Sequence, residues 1–99
     1  MYTHVAITDQ EFEWDEFKRA QNVGKHGIDL LLGIYLFDGR PTISYPSPRN
    51  GEDRTVTIGW IEAFLLALIW TERDDAIRLI SLRRARDAER RAYEARIGR

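Results

Sequence analysis

The two most apolar runs of the chain lie close together in residues 64–85, FLLALIWTERDDAIRLISLRRA. Phe64 to Trp70 is unbroken by any polar residue. A short run of this kind bounded by turn residues predicts a strand buried on both faces. Residues 76–82 alternate less cleanly, because Arg78 and Ser81 fall on opposite parities. Between the runs, Glu72-Arg73-Asp74-Asp75 is polar, and Asp favours turns by hydrogen-bonding its own backbone. The pattern predicts a β-hairpin at the centre of a sheet, its second strand ending in Arg83-Arg84. Pairing Thr71 with Ala76 would set Ile69 opposite Arg78 and Phe64 opposite Arg83.

Upstream of the hairpin, residues 54–61 alternate well, with Val56, Ile58 and Trp60 on one face. They predict a strand antiparallel to the central run, Trp60 opposite Leu65, Ile58 opposite Ala67 and Val56 opposite Ile69. The reversal at Glu62-Ala63 lacks the Gly or Asn of two-residue hairpins, which favours a four-residue loop from Ile61 to Phe64. Thr42 to Tyr45 reads as a short strand before a Pro- and Gly-containing loop, PSPRNG.

Nearer the N-terminus, residues 1–11 show no periodicity and are expected to form a flexible leader, leaving 12–99 as one domain. Phe12-Glu13-Trp14 alternates and reads as a short edge strand. Asp15 is suited to cap a helix running to about Gly24, with Phe17, Ala20 and Val23 on its inner face and Gly27 stopping it. A second helix is expected from Ile28 or Asp29 to Phe37, with Leu30, Leu31, Ile34 and Phe37 forming an apolar stripe. Gly33 within it costs up to about 1 kcal/mol relative to Ala, which close backbone approach would explain. From Arg86 the chain turns helical again, with Tyr93 and Ile97 as docking residues. The expected class is α+β: two N-terminal helices packed on a mostly antiparallel sheet of about four strands, followed by a C-terminal helix.

At 99 residues and 43% hydrophobic composition, the chain is long enough for one core without covalent staples. The absence of cysteine leaves no disulfide or thiolate metal site and is in keeping with a reducing cytoplasm. No apolar run approaches the roughly 20 residues of a membrane span, and the first residues, MYTHVAITDQE, do not read as a secretory signal. The net charge of −1 hides an asymmetry. Residues 1–72 carry 6 Lys/Arg against 11 Asp/Glu, a net of −5, whereas residues 73–99 carry 9 Arg against 5 Asp/Glu, a net of +4. Arginine suits planar, bidentate contact with phosphate or carboxylate. A protein that coats nucleic acid is usually basic overall, so any RNA site here must be local.

With these elements placed, the sequence resembles the BrnT family of type II toxin components, within the RelE/ParE-like superfamily of small ribonuclease toxins. The residues that carry the likeness are FEWDEFKRAQN at 12–22, KHGID at 25–29 and LFDGRP at 36–41. Glu52 and Arg54, TIG at 57–59, Thr71 and Arg73, IRLISLRRA at 77–85 and ER with Tyr93 complete the set. Of these, W-D-x-x-K-x-x-x-N-x-x-K-H-G is the most specific. The resemblance implies a RelE-like fold and an mRNA-cleaving toxin that arrests growth. It also implies neutralisation by a BrnA-type antitoxin, through whose DNA-binding part alone the complex would reach operator DNA.

Metal-free RNA cleavage needs a base for the 2′-OH, positive donors for the phosphorane and an acid for the leaving 5′-oxygen. The dispersed carboxylates show no metal-ligand spacing, and no metal or other cofactor is expected. Of the two histidines, His4 falls in the leader. His26 follows Lys25 at a helix end, where a cation is favoured by the dipole; it reads as a cap or packing residue or as a base. Lys25 is a candidate phosphate contact or acid–base group. Arg83, leaving a buried strand, is the leading catalytic candidate; Arg54 and Arg73 are catalytic candidates grouped at the other end of the sheet or, alternatively, structural residues paired to Glu72 or Asp75. Arg83 could instead clamp Asp87 or Glu89. The expected register separates Arg54 and Arg83 by seven residues, about 20 Å at strand rise. Lys18, His26 and Arg84 are candidate RNA contacts, Arg84 being equally placed to bind the last helix or the antitoxin. Against catalysis stands the reading of a non-catalytic RelE-like module that serves as antitoxin partner and co-repressor.

Overall fold

The computed structural model describes residues 2–98; Met1 and Arg99, at the outer ends of the expected leader and domain, lie outside them. Strands come first. β1 (Tyr2–Ile7) and β2 (Gln10–Asp15) form an antiparallel hairpin that leads into α1 (Glu16–His26) and a 3₁₀ helix (Leu30–Phe37). β3 (Ile43–Pro46), β4 (Thr55–Ile61), β5 (Phe64–Arg73) and β6 (Ala76–Arg84) follow, then α2 (Asp87–Arg96). The six strands form one sheet in the order β1-β2-β6-β5-β4-β3, mixed because β2 runs parallel to β6.

The α+β class stands, but two N-terminal helices on about four strands does not describe the architecture. Two strands precede the helices, and β1 lies within the residues expected to form a leader. Its β-branched residues Thr3, Val5 and Ile7 do alternate. They went unread because Thr8-Asp9 is not a common hairpin dipeptide, although both residues take positive φ, 52° and 67°. The second helix is 3₁₀ throughout, a tighter winding that lets Gly33 sit directly on Leu68.

The sheet separates two apolar layers. One, beneath the 3₁₀ helix, contains Phe12, Trp14, Leu30, Leu36, Leu66, Leu68, Leu79 and Leu82. The other, toward α2, contains Val56, Ile58, Leu65, Ala67 and Tyr93. β4 and β5 pair in the expected register, but through the two-residue loop Glu62-Ala63 rather than a four-residue one; Glu62 takes φ 53° in place of a glycine. Tyr93 docks α2, whereas Ile97 stays largely exposed.

The β5–β6 hairpin differs more. Asp74 and Asp75 alone form the turn, at φ 52° and 67°, and pair Arg73 with Ala76 and Thr71 with Arg78. An irregularity then intervenes: Trp70 pairs with Leu79 but Ile69 with Ser81, so Ile80 is the extra residue of a β-bulge. A bulge reverses the alternation downstream of it. Leu79 and Leu82 both enter the layer beneath the 3₁₀ helix, while Ser81 and Arg83, opposite Ile69 and Ala67, face the α2 side with Arg78. The broken alternation of residues 76–82 is the trace of this bulge in the sequence.

Candidate functional site

Asp15 caps α1 by accepting the Phe17 backbone N–H at 2.8 Å, and Gly27 ends it at φ 68°. Its apolar stripe nevertheless faces outward: Phe17 is 69% and Val23 51% exposed. The reason lies in what α1 packs against. β2 pairs with β6 only as far as Leu79, and α1 passes the backbone of β6 beyond that point. An open strand edge needs hydrogen bonds more than apolar cover. Asn22, 4% exposed, supplies them: its Nδ2 donates to Leu82 O at 2.8 Å and its Oδ1 accepts from Leu82 N at 2.9 Å. Arg19 further ties the helix to Asp29 through two bonds of 3.0 and 2.9 Å.

Between α1 and β6 lies a cavity of about 460 Å³, lined by Lys18, Gln21, Asn22, Lys25, His26 and Ser81 among others. Three candidates from the sequence, Lys18, Lys25 and His26, therefore share one cleft. Burial lowers the His26 pKa, and the positive charges of Lys25 and Arg83 lower it further. The imidazole is thus neutral near pH 7 and able to accept a proton. Lys18 and Arg78 also act electrostatically on Glu52, whose carboxyl is held low first by its bond with Arg54 Nε, at 2.7 Å. Arg54 itself lies beside Thr71, the residue that pairs with Arg78, and does not line the cavity.

Arg83 faces this side, but its guanidinium is engaged. Nη1 and Nη2 donate to the two oxygens of Glu89 at 2.8 and 2.9 Å, and Glu89 also accepts from the Arg86 backbone N–H and the Tyr45 hydroxyl. Burial pushes the Glu89 carboxyl up, yet Arg83, the Arg86 N–H and Tyr45 outweigh it and hold the pKa at about 2. This is one of the two arrangements the sequence left open, a clamp between β6 and the start of α2. Because the folded pKa lies below that of an ordinary glutamate, the clamp contributes its full stability above about pH 4.5. The contribution is lost as the pH falls towards 2. Thermal melts from pH 6 to 2 should therefore fall more steeply for the wild type than for Glu89→Gln; parallel curves would show that Glu89 is not ionised in the clamp.

The remaining candidates stand apart. Arg73 is exposed at the end of the hairpin beside Glu72, Asp74 and Asp75. Arg84 lies on the other face of the sheet, its guanidinium 4.4 Å from the centre of the Phe64 ring. His4 sits across the hairpin from Glu13, with Nδ1 at 3.8 Å from the carboxylate. With Arg83 opposite Ala67 and Arg54 beside Thr71, four residues along β5 separate them, about 13 Å rather than 20 Å. The sequence reading missed Tyr45 and the bridging role of Asn22; the long-range pairing of Asn22 with β6 leaves no local pattern, whereas the family-like spacing of Asn22 with Lys18 and Lys25 was a usable signal. Among the described residues, no three His, Asp or Glu side chains gather as a metal site, and no helix is long and apolar enough to cross a membrane.

The fold and cleft define a small α+β protein, acidic overall in its first two-thirds, that gathers cationic side chains at one helix and one strand. The family model of the ribonuclease toxin BrnT, of type II toxin–antitoxin systems, matches residues 14–89. The chain belongs to this family. Membership carries the activity class of a ribonuclease toxin and, for a type II system, an antitoxin as partner. No curated protein matches the chain.

Proposed function

We propose that this protein is an endoribonuclease that cleaves RNA without a metal in the cleft between α1 and β6. The observation that carries the reading is the convergence of Lys18, Lys25 and His26 on one cavity, where burial and the neighbouring positive charges favour the base form of the imidazole. His26 removes the 2′-OH proton, the 2′-oxygen attacks the adjacent phosphorus, and the bond to the 5′-oxygen breaks as Lys25 protonates that oxygen. The products are a 2′,3′-cyclic phosphate and a 5′-hydroxyl. Lys18 holds a neighbouring phosphate, and Arg54, outside the cleft, serves a more distant one. Growth arrest follows from loss of mRNA, and a BrnA-type antitoxin neutralises the toxin and links it to operator DNA. A RelE/ParE-like superfamily placement and a cytoplasmic site of action accord with this reading.

The engagement of Arg54 and Arg83 by Glu52 and Glu89 favours a second reading, a non-catalytic module that binds the antitoxin and acts as co-repressor. The experiment that separates them is cleavage of end-labelled RNA in excess EDTA. New ends bearing cyclic phosphate are expected. The acid limb of kcat/KM should lie below the ordinary histidine pKa and vanish in His26→Gln, with a loss on the order of 10²–10⁴-fold. Intact RNA, with retained antitoxin binding, would establish the module instead.

A further inference from the structure

The walls of the cleft come from elements far apart in sequence. Lys18, Lys25 and His26 stand on α1, whereas Ser81 and the re-phased end of β6 form the opposite side. No backbone pairing of the sheet joins them, since the β2–β6 ladder ends at Leu79. One side chain spans the gap. Asn22 Nδ2 donates to Leu82 O and to Ile28 O, each at 2.8 Å, while Oδ1 accepts from Leu82 N at 2.9 Å and from Ser81 Oγ at 3.3 Å. Both donors and both acceptor positions of the amide are thus used, on a side chain that is almost wholly buried.

The partners make the arrangement specific. Two bonds copy the pairing that a neighbouring strand would give Leu82, just after the bulge. A third reaches the chain two residues beyond His26, just past the helix end. We infer that Asn22 is a positioning residue for RNA cleavage, which holds the Lys25-His26 end of α1 in register with the bulged segment of β6. A helix docked by apolar contacts alone can slide by a fraction of a turn; a four-bond amide cannot. Misplacement of reacting groups by about 1 Å can cost on the order of 10²-fold in rate, so this register has catalytic weight. With all four hydrogen-bonding positions of its amide used within the protein, Asn22 has none left for phosphate or a transferred proton, and the role rests on the catalytic reading of the cleft given above.

Asn22→Asp preserves the shape but replaces the two donated bonds with oxygen facing the Leu82 and Ile28 carbonyls. Asn22→Gln keeps the amide and displaces it by one methylene. In the folded fraction of either variant, kcat on a short RNA is expected to fall by roughly 10–10²-fold with KM changed little. The His26 ring resonances should titrate at higher pH than in the wild type, because the imidazole loses part of its burial and the nearby Arg83 charge. Ile58→Ala, which destabilises the sheet from its other layer, should leave both kcat per folded molecule and the His26 titration unchanged. Wild-type values of kcat and His26 titration in a folded Asn22 variant would overturn the inference. So would an effect confined to KM, or equal changes in Ile58→Ala. If the wild-type protein cleaves no RNA, the catalytic reading fails, while the His26 titration still reports whether Asn22 holds the two walls together.

Discussion

Arg83→Ala is expected to lower the stability of the fold by about 3–5 kcal/mol, as removal of one partner from a buried ion pair does. The cause is Glu89 rather than lost packing. At 7% exposure, its carboxylate would keep only the Arg86 N–H and the Tyr45 hydroxyl as partners, with no cation beside it. Arg83→Ala/Glu89→Ala removes both charges and should recover much of the loss, whereas Arg83→Lys should recover only part, because an ammonium does not reproduce the two-pronged contact. Urea denaturation of the four proteins measures this directly. A loss under about 1 kcal/mol for Arg83→Ala would be below the range of buried pairs and would show the clamp to be solvated. Cleavage per folded molecule tests the other assignment. Both terminal nitrogens of Arg83 are occupied by Glu89, so activity is expected to stay within about tenfold, short of the roughly 10²–10³ lost with a transition-state donor. A larger loss would mean that the guanidinium exchanges Glu89 for phosphate during the reaction.

Leu68→Ala is expected to cost about 2–5 kcal/mol, the range for truncating a fully buried leucine. Leu68 has 0% exposure at the middle of β5 and packs directly beneath Gly33. A Cβ on Gly33 would lie 2.6 Å from Leu68 Cδ1, so Gly33→Ala alone should overpack the layer and cost about 1–3 kcal/mol. In the Leu68→Ala background that methyl has room and refills part of the cavity. The double variant should therefore be more stable than the sum of the single losses allows. Strict additivity would mean that the 3₁₀ helix shifts to accept the methyl; a Leu68→Ala loss below about 0.5 kcal/mol would mean the site closes without a cavity.

Much of the fold was legible because its signals are local. Asp15 and Gly27 bracket α1 with a side-chain oxygen and a residue free to take positive φ, and both act as their chemistry dictates. Val56, Ile58 and Trp60 pair with Ile69, Ala67 and Leu65 as expected, since a reversal centred on Glu62-Ala63 gives this register whether the loop has two residues or four. Gly33 was legible as a point of close approach for the same reason: a costly residue in a helix needs a neighbour that excludes Cβ. The first hairpin was not legible, because Thr8 and Asp9 reach positive φ without the glycine that announces it.

The candidate site was read less completely, and the cause is physical. Lys18, Lys25 and His26 share one helix, so their spacing alone brings them close. By itself, the sequence determined the apolar strand pair, the capped helix and the family, and marked Gly33 as a point of close approach whose neighbour, Leu68, only the structure identifies. Tertiary structure decided the rest: the parallel contact that places β2 beside β6, the bulge at Ile80, and the outward turn of Phe17 and Val23. It also chose between two fates for Arg83 that residue identity treats as equal. A guanidinium binds carboxylate and phosphate with the same fork, and only the folded position of Glu89 shows which partner it has in the free protein.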